Sequence, residues 1–207
     1  MTQIYHITHG RNLEPIIAAG GLWCDAQIAA HGLTPLGIAH QHIKERRKER
    51  QVPCAAGGSL ADYVPFYFAP RSPMLYAIHN GYVEGYTGGQ SSVLHLVAEA
   101  ETIAASGCAF AFTEGHAEIA WTEFFTDLAF LSAVDWVIMK ETYWHDTDED
   151  GDRKRRRQAE FLVHQFCAWE LITEIGVINS QVADRVRAFL EPAAHQPAVH
   201  IRRNWYY

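Results

Sequence analysis

The chain of 207 residues lacks both common glycine-rich nucleotide fingerprints. Neither G-x-G-x-x-G nor G-x-x-x-x-G-K-[ST] occurs, so nothing supports a Rossmann or P-loop site. G-x-S-x-G is missing as well, which removes the mark of an α/β-hydrolase nucleophile. Cysteine is scarce: Cys24, Cys54, Cys108 and Cys167 stand singly, without a C-x-x-C pair. That spacing argues against a zinc ribbon or a disulfide framework and makes a reducing cytoplasm the expected compartment. No apolar run approaches the roughly 18–20 residues a membrane span needs, and Met1–His6 shows no basic-then-apolar signal pattern. No membrane association is expected. The 12 histidines include no H-E-x-x-H, and the pairs His6/His9 and His40/His42 have no third ligand nearby. No metal is expected.

What is present suits a globular enzyme. Hydrophobic residues make up 48% and charged residues 20%, ordinary values for a packed core, and a single domain over residues 1–207 is expected. The net charge of −7 argues against nonspecific coating of nucleic acid. Two basic runs, Lys44–Arg50 and Arg153–Arg157, break that acidity, the second directly after the acidic stretch Asp146–Asp152. Such runs are usually solvated helix faces, yet they can also grip phosphates at a few points.

Periodicity places strands at Ile4–Thr8, Tyr63–Phe68, Val93–Val97, Ala109–Phe112, Phe161–Phe166, Ile172–Ile178 and Val199–Tyr207. Pro65 suggests that its strand is an edge. Helices are expected after Asn12, which can cap the first of them up to Gly20, after the Ser72-Pro73 cap, over 121–140, and over 181–190. Residues 24–62, rich in glycine and proline around one charged helical patch, read as a long excursion of the kind that usually carries function. Strands and helices mix without regular alternation, so the fold class is α+β.

Four stretches carry the chemistry: Ile4–Asn12 (IYHITHGRN), His42–Arg47 (HIKERR), Asp62–Tyr76 (DYVPFYFAPRSPMLY) and Gln158–Val163 (QAEFLV). In this order, and together with the ending Asn204-Trp205-Tyr206-Tyr207, they resemble the DarT family of toxins. Members of that family transfer ADP-ribose from NAD to DNA. The resemblance implies an ADP-ribosyltransferase-like fold, with a split, mostly antiparallel sheet and helices around an NAD cleft. It implies thymine N3 in single-stranded DNA as acceptor, NAD as co-substrate and a macrodomain antitoxin as partner. Guanine, RNA, protein or water as acceptor, and a binding module that merely keeps the fold, remain the alternatives.

Each candidate residue also has a plainer explanation. A strand-borne His6 is ordinarily a core histidine, but beside Thr8 it can donate to the adenosine ribose. Asn12 can be a cap only, and Gly20 a helix stop, although the resemblance implies that both lie against the cofactor. Tyr67, Arg71, Ser72, Met74 and Tyr76 fit a strand, a cap and a core stripe; the resemblance sets this corner against nicotinamide and the incoming base. Arg47 is selected by its place in HIKERR as the catalytic arginine, with Arg46 as the alternative. Glu160 matches the glutamate that binds the ribose 2′-hydroxyl, where an anion stabilises the oxocarbenium-like transition state. Lys44, Arg46, His116, Arg153, Lys154 and Arg155 are the candidates for holding DNA.

Overall fold

Gln3–His9 (β1) pairs along its whole length with Val93–Glu99 (β4), from Gln3 opposite Glu99 to His9 opposite Val93. This central pair grows outward in both directions. The computed structural model describes residues 1–207. In chain order the remaining elements are α1 (Leu13–Ala18), β2 (Gly21–Trp23), α2 (Asp25–Ala30), α3 (Gln41–Glu49), β3 (Tyr63–Tyr67), α4 (Pro73–His79), α5 (Ala100–Ala105), β5 (Phe110–His116) and β6 (Phe124–Phe125). There follow α6 (Trp136–Lys140), α7 (Arg153–Arg156), β7 (Ala159–His164), β8 (Phe166–Ala168), β9 (Glu174–Val177), α8 (Ser180–Leu190) and β10 (Ala198–Ile201).

Eight strands form one sheet in the order β10-β9-β4-β1-β3-β7-β5-β6, and β2 pairs with β8 separately. Only β9 and β10 run parallel. The sheet is split at its middle, where a single pair, Tyr5 opposite Tyr67, joins β1 to β3. The fold is therefore the mostly antiparallel, split α+β arrangement expected. No helix is long and apolar enough to cross a membrane. The largest core lies on one face, where Ile4, Phe66, Leu96, Phe112, Phe161 and Ile175 meet α8 through Ala183 and Val186. On the other face Leu75 and Ile78 of α4 pack on Tyr5, Val93 and Val97.

Four expectations need correction. Pro65 sits in an interior strand, not at an edge. A strand residue's N–H and C=O point to the same side, and the Pro65 carbonyl faces β1, where it accepts from His6 Nδ1 at 2.8 Å. Its missing donor thus falls in the split and leaves the ladder to β7 intact. The helix expected over 121–140 is three pieces. Asp127 accepts from the Ala129 N–H at 2.9 Å and Asp135 from those of Val137 and Ile138 at 3.0 Å, each starting a new short helix.

The strand expected at Phe161–Phe166 begins at Ala159 and is broken at Gln165, whose φ of 58° lies in the left-handed region. Val199–Tyr207 is a strand only to Ile201; a single turn over Arg203–Trp205 then folds the tail inward. Gly176 makes room for it, since a Cβ there would stand 2.3 Å from the Trp205 ring. The Ser72-Pro73 start of α4 is as expected, with Ser72 Oγ accepting from the Leu75 N–H at 3.1 Å.

Under this tail lies His95, fully buried on β4, with Nε2 donating to the Pro70 carbonyl at 3.0 Å. Burial outweighs that carbonyl and pushes its pKa down to about 4. An unfolded histidine titrates near 6.5, so between pH 6.5 and 4 the unfolded chain takes up a proton that the native state refuses. The stability this contributes is complete above pH 6.5 and is lost as the pH falls toward 4, by about 3 kcal/mol at one pK unit per 1.36 kcal/mol. Denaturant unfolding of wild type and His95→Gln from pH 7 to 4 checks this. The gap between them should narrow by about that amount, and a constant gap would contradict it.

Candidate active site

The sheet delivers one carboxylate to the edge of its split. Glu160 lies within β7, opposite Tyr67 of β3, and is buried to 3% exposure. It is not the solvated strand start that its neighbours in sequence suggest. On its other side the register of β5 slips between Phe112 and His116. The bulge leaves the Glu160 N–H without a ladder partner, and Thr113 Oγ1, also fully buried, accepts it at 3.0 Å while donating to the Gly115 carbonyl at 2.7 Å. The carboxylate accepts from the Ala117 N–H at 3.4 Å through Oε1 and from Arg47 Nη1 at 2.8 Å through Oε2.

Arg47 comes from α3 in the excursion. Of this helix's cations it alone is buried, with a side chain 10% exposed, whereas the Arg46 side chain is 57% exposed and pairs with Glu118 at 2.9 Å. Packing thus sets Arg47 beside Glu160 and leaves Arg46 at the surface. Burial would lower the Arg47 pKa, but Glu160 outweighs it and raises it. Its second terminal nitrogen, Nη2, is buried without any protein partner. A buried donor left open is costly unless a ligand completes it.

The pair forms one wall of a cleft of about 960 Å³, near the upper end of the usual range for ligand sites. His6, Thr8, Asn12, Lys44, Arg47, Tyr67, Met74, His116, Lys154 and Glu160, all singled out in the sequence, line it together. His6 donates through Nδ1 to Pro65, and burial lowers its pKa. The ring is therefore neutral, donating through Nδ1 and leaving Nε2 as an acceptor toward the cleft. Burial first and Glu160 second raise the pKa of Tyr67, which keeps its phenol protonated. Burial also lowers His116, against the pull of Glu160. Asn12 makes no helix cap. Its Nδ2 donates to Thr8 Oγ1 at 3.1 Å and to the Leu36 carbonyl at 3.0 Å, and its Oδ1 accepts from the Leu36 N–H at 2.8 Å. It ties the strand to the excursion.

Other candidates lie outside the lining. Gly20, with φ of +74°, ends α1 as expected. Ser72 is engaged as a cap, Arg71 stacks 4.3 Å above the Tyr207 ring, and Tyr76 packs edge-on against Trp144 and Tyr207. The basic run 153–157 is mostly spent inside the protein. Arg153 donates to the carbonyls of Tyr143 and His145, and Arg155 bridges Glu114 and Asp152 at 2.7 Å. Arg156 pairs with Asp135 and Asp150. Lys154 alone of the run reaches the cleft, while Lys44 is paired with Asp25 at 2.9 Å. The sequence reading missed Trp23, Asp25, Leu36, Gln158 and most of the lining from residues 32–40. The glycine and proline content marked that segment as functional but selected no residue in it.

A family model described as ssDNA thymidine ADP-ribosyltransferase, DarT, matches residues 5–207. A DNA ADP-ribosyl transferase of Thermus sp. (strain 2.9) is 44% identical over 211 residues, which cover 100% of this chain and 96% of the relative. The solved structure of Thermus sp. 2.9 DarT in complex with ADP-ribosylated ssDNA superposes with a TM-score of 0.92 at 43% identity, covering 100% of this chain and 96% of that one. The same protein in complex with NAD+ gives 0.88 at 41% identity, covering 100% and 98%. A DNA ADP-ribosyl transferase-DNA ADP-ribosyl glycohydrolase fusion protein of Thermosipho africanus is 29% identical over 186 residues, covering 89% of this chain and 45% of the fusion.

Proposed function

The chain belongs to the DarT family of ssDNA thymidine ADP-ribosyltransferases, NAD-dependent enzymes that modify DNA, and from that premise we propose that Glu160 and Arg47 carry the reaction in this member. The observation that supports it most is the open, buried Arg47 Nη2 beside Glu160 at the cleft wall. NAD supplies an ADP-ribosyl group whose bond to nicotinamide breaks as thymine N3 bonds to the ribose C1′, with nicotinamide and the N3 proton as the other products. Glu160 stands where a fixed anion stabilises the positive charge that grows on the ribose carbon. Arg47 orients that carboxylate through Nη1 and offers Nη2 to the base as its proton departs. It is not the base itself, since guanidinium keeps its proton. His6, held by the Pro65 carbonyl, and Thr8, held by Asn12, take the adenosine ribose, and Met74 with Tyr67 meets nicotinamide and the incoming base.

Single-stranded DNA fits this chemistry because N3 is occupied by Watson–Crick pairing in a duplex. Lys154 at the cleft supplies local positive charge on an acidic chain, while Lys44 there is paired with Asp25. We place the enzyme in the cytoplasm as a toxin, restrained by a macrodomain antitoxin that removes the modification. The Thermosipho africanus relative, which joins a glycohydrolase to the transferase in one chain, supports that pairing. Incubation with NAD and a panel of oligonucleotides, read by mass spectrometry, tests the reading. A thymine-containing single strand should gain one ADP-ribose mass and its duplex little. Equal modification of the duplex, or modification confined to strands without thymine, would overturn it.

A further inference from the structure

We propose that Arg157 is a positioning residue for the transfer reaction, holding the corner that carries Met74 at a fixed distance from Glu160. The proposal rests on the reading given above, in which that corner meets nicotinamide.

Arg157 follows α7 and stands three residues before Glu160. It is 3% exposed, more deeply buried than Arg47, yet it reaches no carboxylate. All of its bonds go to backbone carbonyls. Nε and Nη2 donate to the Arg71 carbonyl at 3.3 and 3.0 Å, and Nη1 donates to those of Ile138 and Glu141 at the end of α6. Burial pushes its pKa down to about 10, so it still carries its charge near neutral pH. An interior cation without a carboxylate is destabilising, and an apolar side chain of similar volume is often the more stable filling. Stability therefore does not explain it.

Its place in the sheet does. The ladder between β3 and β7 ends at Tyr67 opposite Glu160. Beyond that pair the two segments part, and each goes on to line the cleft, with Gln158 from one and Pro73 and Met74 from the other. The Arg157 fork on the Arg71 carbonyl spans this gap. Its remaining nitrogen ties the fork to α6, so the guanidinium is itself fixed and sets a spacing between the segments.

Neighbouring carbonyls are held in the same way. That of Pro70 accepts from His95 Nε2 at 3.0 Å, and the Tyr207 hydroxyl lies 3.1 Å from the Arg71 carbonyl and 3.4 Å from that of Ser72. Trp144 Nε1 donates to the Tyr207 oxygen at 2.7 Å, which leaves the hydroxyl proton for these carbonyls. Three successive carbonyls are thus fixed by side chains from three distant segments, just before α4 brings Met74 to the cleft.

Calorimetry with NAD and with ADP-ribose separates positioning from damage, because the second ligand lacks only the nicotinamide. Arg157→Lys keeps the charge but replaces the planar fork by a point donor that cannot serve both segments. NAD should then lose the margin by which it outbinds ADP-ribose, while ADP-ribose binds as in wild type. The kcat/KM for transfer should fall roughly tenfold to hundredfold, the cost that a misplacement of about 1 Å can bring. Equal weakening of both ligands marks general damage and overturns the proposal, as does wild-type behaviour in both measurements. Adding Met74→Ala gives a second reading. If Arg157 acts through Met74, the two losses in kcat/KM should fall well short of multiplying, and losses that multiply place its action elsewhere. If Arg157→Lys melts before the assay, Tyr207→Phe carries the test, since it removes only the other donor to the Arg71 carbonyl. The ratio of NAD to ADP-ribose affinity should drop there too, and an unchanged ratio counts against the proposal. Should wild type bind the two ligands equally, the nicotinamide reading of the corner fails first and the role of Arg157 falls with it.

Discussion

Glu160→Gln is expected to slow ADP-ribose transfer roughly 10²–10³-fold, the usual cost of removing one fixed electrostatic contact from a transition state. The loss should fall on kcat, because the charge that Glu160 opposes exists only while the bond to nicotinamide is breaking. The amide keeps the shape, and its oxygen can still accept from Arg47 Nη1, so NAD affinity measured by calorimetry should stay within a few-fold of wild type. Glu160→Ala should lose at least as much rate and also melt earlier, since it leaves Arg47 buried without its only carboxylate. Near-full activity in Glu160→Gln would exclude charge stabilisation by this residue and return Glu160 to a structural role.

The second large effect concerns the other half of the pair. Arg47→Met removes the cation and leaves the Glu160 carboxylate in a site only 3% exposed. Breaking one side of a buried pair typically costs about 3–5 kcal/mol. Adding Glu160→Gln to Arg47→Met discharges that carboxylate, so the double variant should regain much of the lost stability in denaturant unfolding. It should regain none of the transfer activity. Stability and catalysis would then part company, the outcome expected if the pair is kept for chemistry, because apolar or neutral replacements often match buried ion pairs in stability. A double variant as unstable as Arg47→Met alone would instead place the destabilisation in lost packing around α3.

The parts of the site legible from the sequence were those written in short order along the chain. The alternation of Ile4–Thr8, the Ser72-Pro73 cap and the QAEFLV strand each depend on neighbours within a few residues, and each appears in the structure with small shifts of boundary. Long-range pairing was not legible. Nothing local to Pro65 reveals that its vacant donor position faces a split in the sheet, or that His6 donates to its carbonyl there. The apolar spacing from Phe124 to Val134 matches a helix, but two aspartates that cap backbone N–H groups divide it. In the sequence, the acidic stretch before Arg153–Arg157 is only a neighbouring charge. In space it neutralises much of the basic run, which therefore offers DNA less than its composition suggests. Arg46 and Arg47 were separable by family resemblance alone, since burial depends on which face of α3 meets β7.

The proposed reacting pair also has a history in time. Arg47 and Glu160 stand 113 residues apart in the chain. At about 5–20 residues per second of synthesis, the arginine leaves the ribosome some 6–23 seconds before its carboxylate. Until β7 slots between β3 and β5, the growing polypeptide carries half of a reaction centre and no means of completing it locally. A cell making this enzyme thus meets its activity only after Glu160 has been made and the sheet has closed.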